Sequence, residues 1–492
     1  MTTTEQAEPA PAEDGAYAPV QTEETVTALR VTGTIPAWLD GRYVRNGPNP
    51  IGAIDPATFH WFMGDGMVHG VRLRGGRAEW YRNRWVRSAD AAKALGEARP
   101  ASAGVSVAAN TTVIGHAGTT LALVEAGGAC YALSDTLETL GVWDARGTLP
   151  GGGYTAHPKL DAVSGELHAI SYRFDRPGLA QYTVVDPRGT VRRAVDVPVA
   201  GSPLIHDMGL TQRHVVVLDL PIEFDLPRAM RAVGVPEPLI RSGARVASRM
   251  IGRVPISGRL ADLAASRLRN GDMPYSWSPE HPSRLGVLPR EAPGAAVRWF
   301  EIPRCFVFHV LGAYDEVDDD GRATAVVVDG VRYDKAFDED LHGPDGASTR
   351  LTRWRLDLVT GAVLETTVDD RQQEFPRIDE RFIGRPYRHG WSTGLMQDGT
   401  GRVDDRILAH DLVAGTTTSH SLGEGVEVGE LVFVPSSPDA EEADGVLMGF
   451  VHDRTTGADR LELRDAGTLE PVAQVHLPVR VPHGFHGNWL PA

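Results

Sequence analysis

The sequence predicts an all-β fold, and among such folds it favours a β-propeller over a sandwich or a barrel. Three observations lead there. Gly (54) and Pro (34) are abundant in a 492-residue chain that is 42% hydrophobic. That mixture suits many short strands joined by tight turns. A turn of the form Asp-x-x-x-Gly recurs between strand-like runs, as "DAVSG" (161–165), "DLVTG" (357–361), "DLVAG" (411–415) and "DRTTG" (453–457). Its last three copies start 54 and 42 residues apart, close to the length of a multi-stranded blade. Finally, four histidines that end apolar runs are scattered between positions 157 and 486. A radially repeated fold can bring such distant strands to one axis.

Each part of the chain fits this frame in turn. The start, "MTTTEQAEPAPAEDGAYAPV", is rich in Ala, Pro and Glu and lacks the basic and apolar regions of a signal peptide. It reads as a disordered acidic tail over 1–18. Residues 19–492 then read as a single propeller domain. In the Asp-x-x-x-Gly turns, Asp bonds to its own backbone and Gly supplies the positive φ that closes the loop. The rhythm breaks over 226–270, which holds nine Arg against one Glu and one Asp. Here Leu239, Val246 and Met250 recur at helical spacing, and Arg241, Arg245, Arg249 and Arg253 form a stripe. The segment is expected to be a helical insert. It suits either a membrane-surface helix or a helix packed on the propeller.

Composition narrows the function. A net charge of -16 lacks the basic footprint of a nucleic-acid binder, so no nucleic acid is expected as a partner. Only Cys130 and Cys305 occur, both in apolar contexts, which implies no disulfide framework. With no window of about 20 apolar residues, the chain is expected to be soluble and cytoplasmic, with peripheral membrane contact through 226–270 as an added expectation.

Of the seventeen histidines, His116, His168, His214, His281, His342, His410, His420 and His452 lie in turns or polar alternation. His157, His206, His309 and His486 stand apart, each at the end of an apolar or aromatic run. Imidazole suits Fe, Zn, Cu or Ni. Four neutral ligands would leave a divalent ion its full charge, so carboxylates behind them are expected. Glu125, Glu374 and Glu430 sit in apolar settings where an unpartnered carboxylate is costly. A metal-bound imidazole N–H would satisfy each. On the residues alone, seven unrelated and separately satisfied polar groups remain the alternative.

The chain also resembles the carotenoid cleavage oxygenase family from about residue 30 onward. The blocks are "YVRNGPNP", "HWFMGDGMVHG", "YRNRWVR", "ANTTV", "LALVEAGG", "HPKLDAVSGELHAISY", "IHDMGLTQRHVVVLDLP", "FHVLGAYDE", "EFPRIDERFIGRPYRHGW" and "FHGNW", in order. The resemblance implies seven blades under a helical and loop cap. It also implies non-haem Fe(II) on His157, His206, His309 and His486, with Glu125, Glu374 and Glu430 behind three of them and none behind His157. It gives Thr111 a place bordering a vacant coordination position, where it controls access of O₂ and water. The implied activity is a dioxygenase that uses O₂ to split a conjugated C=C bond of an apolar polyene into two carbonyl products.

Two substrate classes fit the resemblance, carotenoids or apocarotenoids and phenolic stilbenes. In the lignostilbene dioxygenases a Lys directly before the first Glu helps grip the phenol. Here that residue is Val124, which favours the isoprenoid class. Val124 and Phe375 are expected to line the substrate tunnel. A non-catalytic, metal-stabilised propeller that binds a ligand is the reading from another class. Gly312 departs from the family's usual Asn and puts the geometry beyond His309 in question, where an acidic turn is expected.

Overall fold

The computed structural model describes residues 15–54, 61–98, 108–232, 234–241, 274–292, 294, 296–338, 349–396 and 402–492. Among these residues, seven antiparallel sheets of four to six strands form the blades of a propeller. Blades 2 to 6 follow the chain. Their innermost strands are Thr112–His116, Lys159–Leu160, Met208–Leu210, Phe306–Val317 and Gln373–Ile378. Blade 7 holds Val432–Pro435 and Gly445–Asp453.

Closure uses both ends of the chain. The C-terminal strand Gly487–Pro491 pairs with Gly41–Pro48 and becomes the innermost strand of blade 1. The N-terminal strand Arg30–Gly33 pairs with Pro471–Leu477 at the outer edge of blade 7.

Sequence pattern separates inner from outer strands. Gly66–Arg74, "GMVHGVRLR", is buried throughout until its last residue. At the outer edge of blade 3, Val191–Pro198 exposes Arg192, Ala194 and Asp196 and turns Val191, Arg193 and Val195 inward. That is the two-residue period of a half-solvated strand. Between blades the faces pack apolar on apolar. The largest cluster joins Tyr182, Val216, Val287, Phe306, Val328 and Trp354 of blades 3, 4 and 5. A second joins Tyr43, Val71 and Tyr81 of blade 1 to Met448, Leu461 and Val475 of blade 7. Each fully buried apolar side chain of this size contributes about 1.5–3 kcal/mol.

The Asp-x-x-x-Gly turns form as expected. In each, the Asp carboxylate accepts backbone N–H bonds two and three residues on, and the Gly N–H returns to the Asp carbonyl. The glycines lie at φ of +67° to +82°. Their spacing is a looser guide than expected. Asp357 and Asp411 occupy equivalent turns of blades 5 and 6, before the outermost strand. Asp453 lies one strand earlier in blade 7. The 54-residue interval is therefore a blade repeat and the 42-residue interval is not.

Three expectations need correction or restriction. The tail does not extend to residue 18. Gly15–Tyr17 forms a 3-10 turn in which Ala16 and Tyr17 are buried, and Tyr17 packs on Trp61 and His483. The acidic turn after His309 comes later than expected, at residues 318–321. Phe306–Val317 runs on as one strand, and Asp315 is buried because it accepts from His214 and from the Arg213 backbone. Gly312 lies inside that strand, where a Cβ would fall 2.5 Å from the Tyr387 ring. Of the insert 226–270, the helix Leu226–Ala232 and the helical residues 237–241 are described. Val246, Met250 and the Arg stripe from Arg245 onward lie outside the described residues. The expected apolar face is already split, with Ile240 buried and Leu239 58% exposed. Among the described residues, no helix is long and apolar enough to cross a membrane.

Candidate metal centre

Each of the seven innermost strands has one singled-out residue within or just before it. Thr111 precedes the strand of blade 2, His157 that of blade 3 and His206 that of blade 4. His309 and Glu374 lie inside those of blades 5 and 6. Glu430 precedes Val432–Pro435, and His486 precedes Gly487–Pro491. Glu125 is the exception, since it follows Thr119–Leu123, the second strand of blade 2.

The structure brings the four histidines together. Their nearest ring nitrogens all lie within 4.8 Å of one another. His206 Nε2 is 3.0 Å from His157 Nε2 and 3.3 Å from His309 Nε2. Metal–imidazole bonds of about 2.1 Å set at right angles place neighbouring nitrogens about 3.0 Å apart, so the spacing fits a common ion.

The opposite ring nitrogens are committed. Nδ1 of His206 donates to Glu125 Oε2 at 3.0 Å, that of His309 to Glu374 Oε2 at 2.6 Å, and that of His486 to Glu430 Oε1 at 2.8 Å. A neutral imidazole that donates from Nδ1 holds a lone pair on Nε2. Three such lone pairs therefore point at one space beside His157. Such an arrangement could hold a metal ion.

Burial and nearby charge set the protonation of these groups. Burial, aided by the three neighbouring rings, pushes His157 far below the ordinary histidine range. It also holds His486 down at about 4 despite Glu430. Both are thus neutral and able to ligate at pH 7. Burial opposes the charge of His206 too, but Glu125 outweighs it and the pKa rises. Glu430 would be raised by burial. Arg377 and His486 reverse that and hold it at about 2.

Local structure explains several placements. His486 is fixed through its backbone, donating to the Thr111 carbonyl at 3.1 Å and accepting from Asn46 N–H at 3.0 Å. Gly47 permits that approach, because a Cβ there would lie 2.6 Å from Gly484 Cα. Glu374 and Phe375 sit at a break in register between strands Gln373–Ile378 and His389–Leu395. Phe375 has φ of +54°, a region that ordinary residues rarely enter and that often marks functional sites. Its N–H turns back onto Glu374 Oε2. Its ring stacks on His309 with centroids 5.6 Å apart and meets His486 at 5.7 Å.

Of the remaining expected residues, the Thr111 hydroxyl donates to Asn110 Oδ1 at 3.1 Å. Val124 is buried in a cluster with Val113, Ala122 and Tyr131.

Several residues of this site do not stand out in the sequence. Phe308 meets His206 edge-on at 5.4 Å, and Phe62 touches both Phe308 and Phe485. Tyr333 donates to Glu374 Oε1 at 3.0 Å. Arg377 pairs with Glu430 at 3.2 Å. Phe62, Phe308, Arg377 and Phe485 lie within or beside the motif blocks, and that proximity is the signal that could have found them. On the other side of the histidines, a cavity of about 640 Å³ opens along the propeller axis. Its lining includes Lys159, Asp207, Arg377 and Glu380, with His157, His309 and His486 at its inner end.

Comparison with known proteins agrees with this picture. The model of the family described as retinal pigment epithelial membrane protein matches residues 17–491. A carotenoid cleavage oxygenase of Mycobacterium tuberculosis is 47% identical over 503 residues, covering 100% of both chains. Carotenoid 9,10(9',10')-cleavage dioxygenase 1 of Arabidopsis thaliana is 31% identical over 531 residues, covering 97% of this chain and 89% of its own. Among solved structures, the lignostilbene dioxygenase of Pseudomonas brassicacearum superposes with a TM-score of 0.81 at 27% identity, covering 98% of each chain. With a family match along nearly its whole length and a relative this similar from end to end, the chain belongs to the carotenoid cleavage oxygenase family and is a dioxygenase of that type.

Proposed function

We propose that the chain splits one conjugated C=C bond of a carotenoid or apocarotenoid with O₂. One oxygen atom goes to each carbon, so two carbonyl products account for every atom. His157, His206, His309 and His486 would hold the metal, and we assign it as Fe(II). Bound there, iron would supply the redox chemistry that activates O₂. The observation that carries this reading is the convergence of the four Nε2 edges beside an aromatic wall.

The protein's own groups have distinct parts. Glu125, Glu374 and Glu430 fix three imidazoles in the tautomer that ligates and supply negative charge opposite a divalent ion. Phe308, Phe375 and Phe485 keep bulk water from one side and offer flat apolar surface to a polyene. Thr111, held beside His486, limits what reaches the open side of the ion.

Three considerations favour the isoprenoid class. The relatives named above act on carotenoids by name, Val124 cannot hold a phenol, and the wall near the ligands is aromatic. Stilbenes are the second reading, favoured by the lignostilbene dioxygenase likeness. The deciding experiment supplies iron-loaded protein and ¹⁸O₂ with an apocarotenoid, a full-length carotenoid and a stilbene in parallel. One labelled oxygen in each of two products from an isoprenoid, with none from the stilbene, is expected. Turnover of the stilbene alone would overturn the substrate assignment. No labelled product from any of them would return the chain to a ligand-binding propeller.

We also propose that 226–270 docks the protein on anionic lipid. Exposed Leu239 and Arg241, the latter 80% exposed in its side chain, support this. Co-sedimentation with anionic liposomes should fall when Arg241, Arg245 and Arg249 become Glu. Unchanged or absent binding would favour plain packing.

A further inference from the structure

Asp207 directly follows one proposed ligand, His206, yet its carboxylate serves the segments of two others. The residue is 3% exposed. Oδ1 accepts from Lys159 Nζ at 2.8 Å and from the Met208 N–H at 2.7 Å. Oδ2 accepts from Lys159 Nζ at 3.0 Å and from the Val310 N–H at 2.8 Å. Lys159 lies two residues after His157, and Val310 directly follows His309. One buried carboxylate thus joins the segments of His157, His206 and His309. The strand Phe306–Val317 shifts register on both sides of Val310, and at that break the Val310 N–H goes to Asp207.

The fourth segment has its own tie. Arg377 donates to the Gly487 carbonyl at 3.1 Å and to Asn488 Oδ1 at 2.8 Å, just beyond His486. Asp207, Lys159 and Arg377 all line the axial cavity behind the ligands. Formal charges also fit an ion. Three glutamates, Asp207 and Glu380, set against Lys159 and Arg377, leave an excess of negative charge beside the proposed divalent cation.

We infer that Asp207, with Lys159, is a positioning residue for the metal: it holds His157, His206 and His309 at the mutual spacing that sets affinity and coordination geometry. Burying a carboxylate is unfavourable unless donors meet it. Here every donor comes from a ligand-bearing segment, so removing one oxygen or the cation should loosen the ligands before it loosens the blades. The inference rests on the proposal that the four histidines hold a metal.

The test uses the full chain stripped of metal and titrated with Co(II), whose visible bands report coordination geometry. Wild type should bind one equivalent. Asp207→Asn keeps the shape and one acceptor. It should melt within a few degrees of wild-type apoprotein, bind Co(II) roughly 10–100-fold more weakly, and show a changed visible spectrum. Lys159→Met should show the same spectral change with a smaller loss of affinity. The double variant should be no worse than Asp207→Asn alone, because the two act as a unit. If Asp207→Asn binds Co(II) with wild-type affinity and spectrum, Asp207 is only a packing group and the inference falls. Should Asp207→Asn fail to fold, Lys159→Met decides instead, and a wild-type spectrum and affinity there overturn the inference. Wild type that binds no Co(II) sinks the four-histidine proposal itself, and this inference with it.

Discussion

The four histidines have two unlike neighbourhoods. Toward the axial cavity lie Lys159, Asp207, Arg377, Glu430 and Glu380, interleaved with apolar side chains such as Leu160, Met208, Leu311 and Ile378. Along the other wall lie Phe308, Phe375 and Phe485, with Trp61, Phe62 and Phe337 beyond. Rings cannot satisfy a hydrated cation, whereas charged groups that face the ligands can fix their segments. The fold thus separates two tasks across a few ångströms. On the proposed reading, the charged groups hold the ligands in place and the aromatic side receives apolar substrate.

That contrast can be broken at three depths. The greatest effect should come from the ligand plane itself. His309→Ala removes a proposed ligand and one of the three donors to Glu374, so iron content measured by mass spectrometry should drop from one equivalent to none, and turnover should vanish on every substrate. Full iron content in that variant would rule out a four-histidine site.

Glu374→Gln comes next. It leaves His309 in place but removes the charge behind it. The fold should survive, with metal affinity and kcat both reduced by roughly 10–100-fold. Unchanged activity would mean the carboxylate serves packing alone.

Phe375 should give the smallest effect, and a sharper one. Phe375→Ala removes an aromatic contact with the substrate wall, worth about 0.5–1.5 kcal/mol, or roughly 2–10-fold in kcat/KM. Iron content should stay at one equivalent. Phe375→Gly should lose as much activity yet melt higher than Phe375→Ala, because Gly accepts φ of +54° without strain. A loss of iron in either variant would show that the two sides are not separate.

The sequence reveals one side better than the other, for physical reasons. His157, His206, His309 and His486 each end an apolar run, and a polar ring in that position is conspicuous. The glutamates are conspicuous in the same way. Phe308 and Phe485 are not, because a ring beside a ligand and a ring in any buried strand read alike. Asp207 and Arg377 look like ordinary surface charges until their partners, 48 to 111 residues away, are seen. Asp315 misled in the opposite direction, since its partners His214 and Arg213 lie on another blade. The turn rhythm misled in part, because an Asp-x-x-x-Gly turn serves any hairpin and does not mark one position in a blade.

The closing strand has a bearing on timing. His486 immediately precedes Gly487–Pro491, the segment that joins the chain's end to blade 1. A chain still lacking that segment can offer three imidazoles and never the fourth. On the proposed ligand set, full coordination therefore waits on the pairing of Gly487–Pro491 with Gly41–Pro48, a closure between segments far apart in the chain. Once in place, an ion on the proposed ligands would bridge positions 157 and 486 and pin the seam where the ring meets itself. On those ligands, metal capture before that pairing forms would be loose and reversible, and firm capture would report a closed ring.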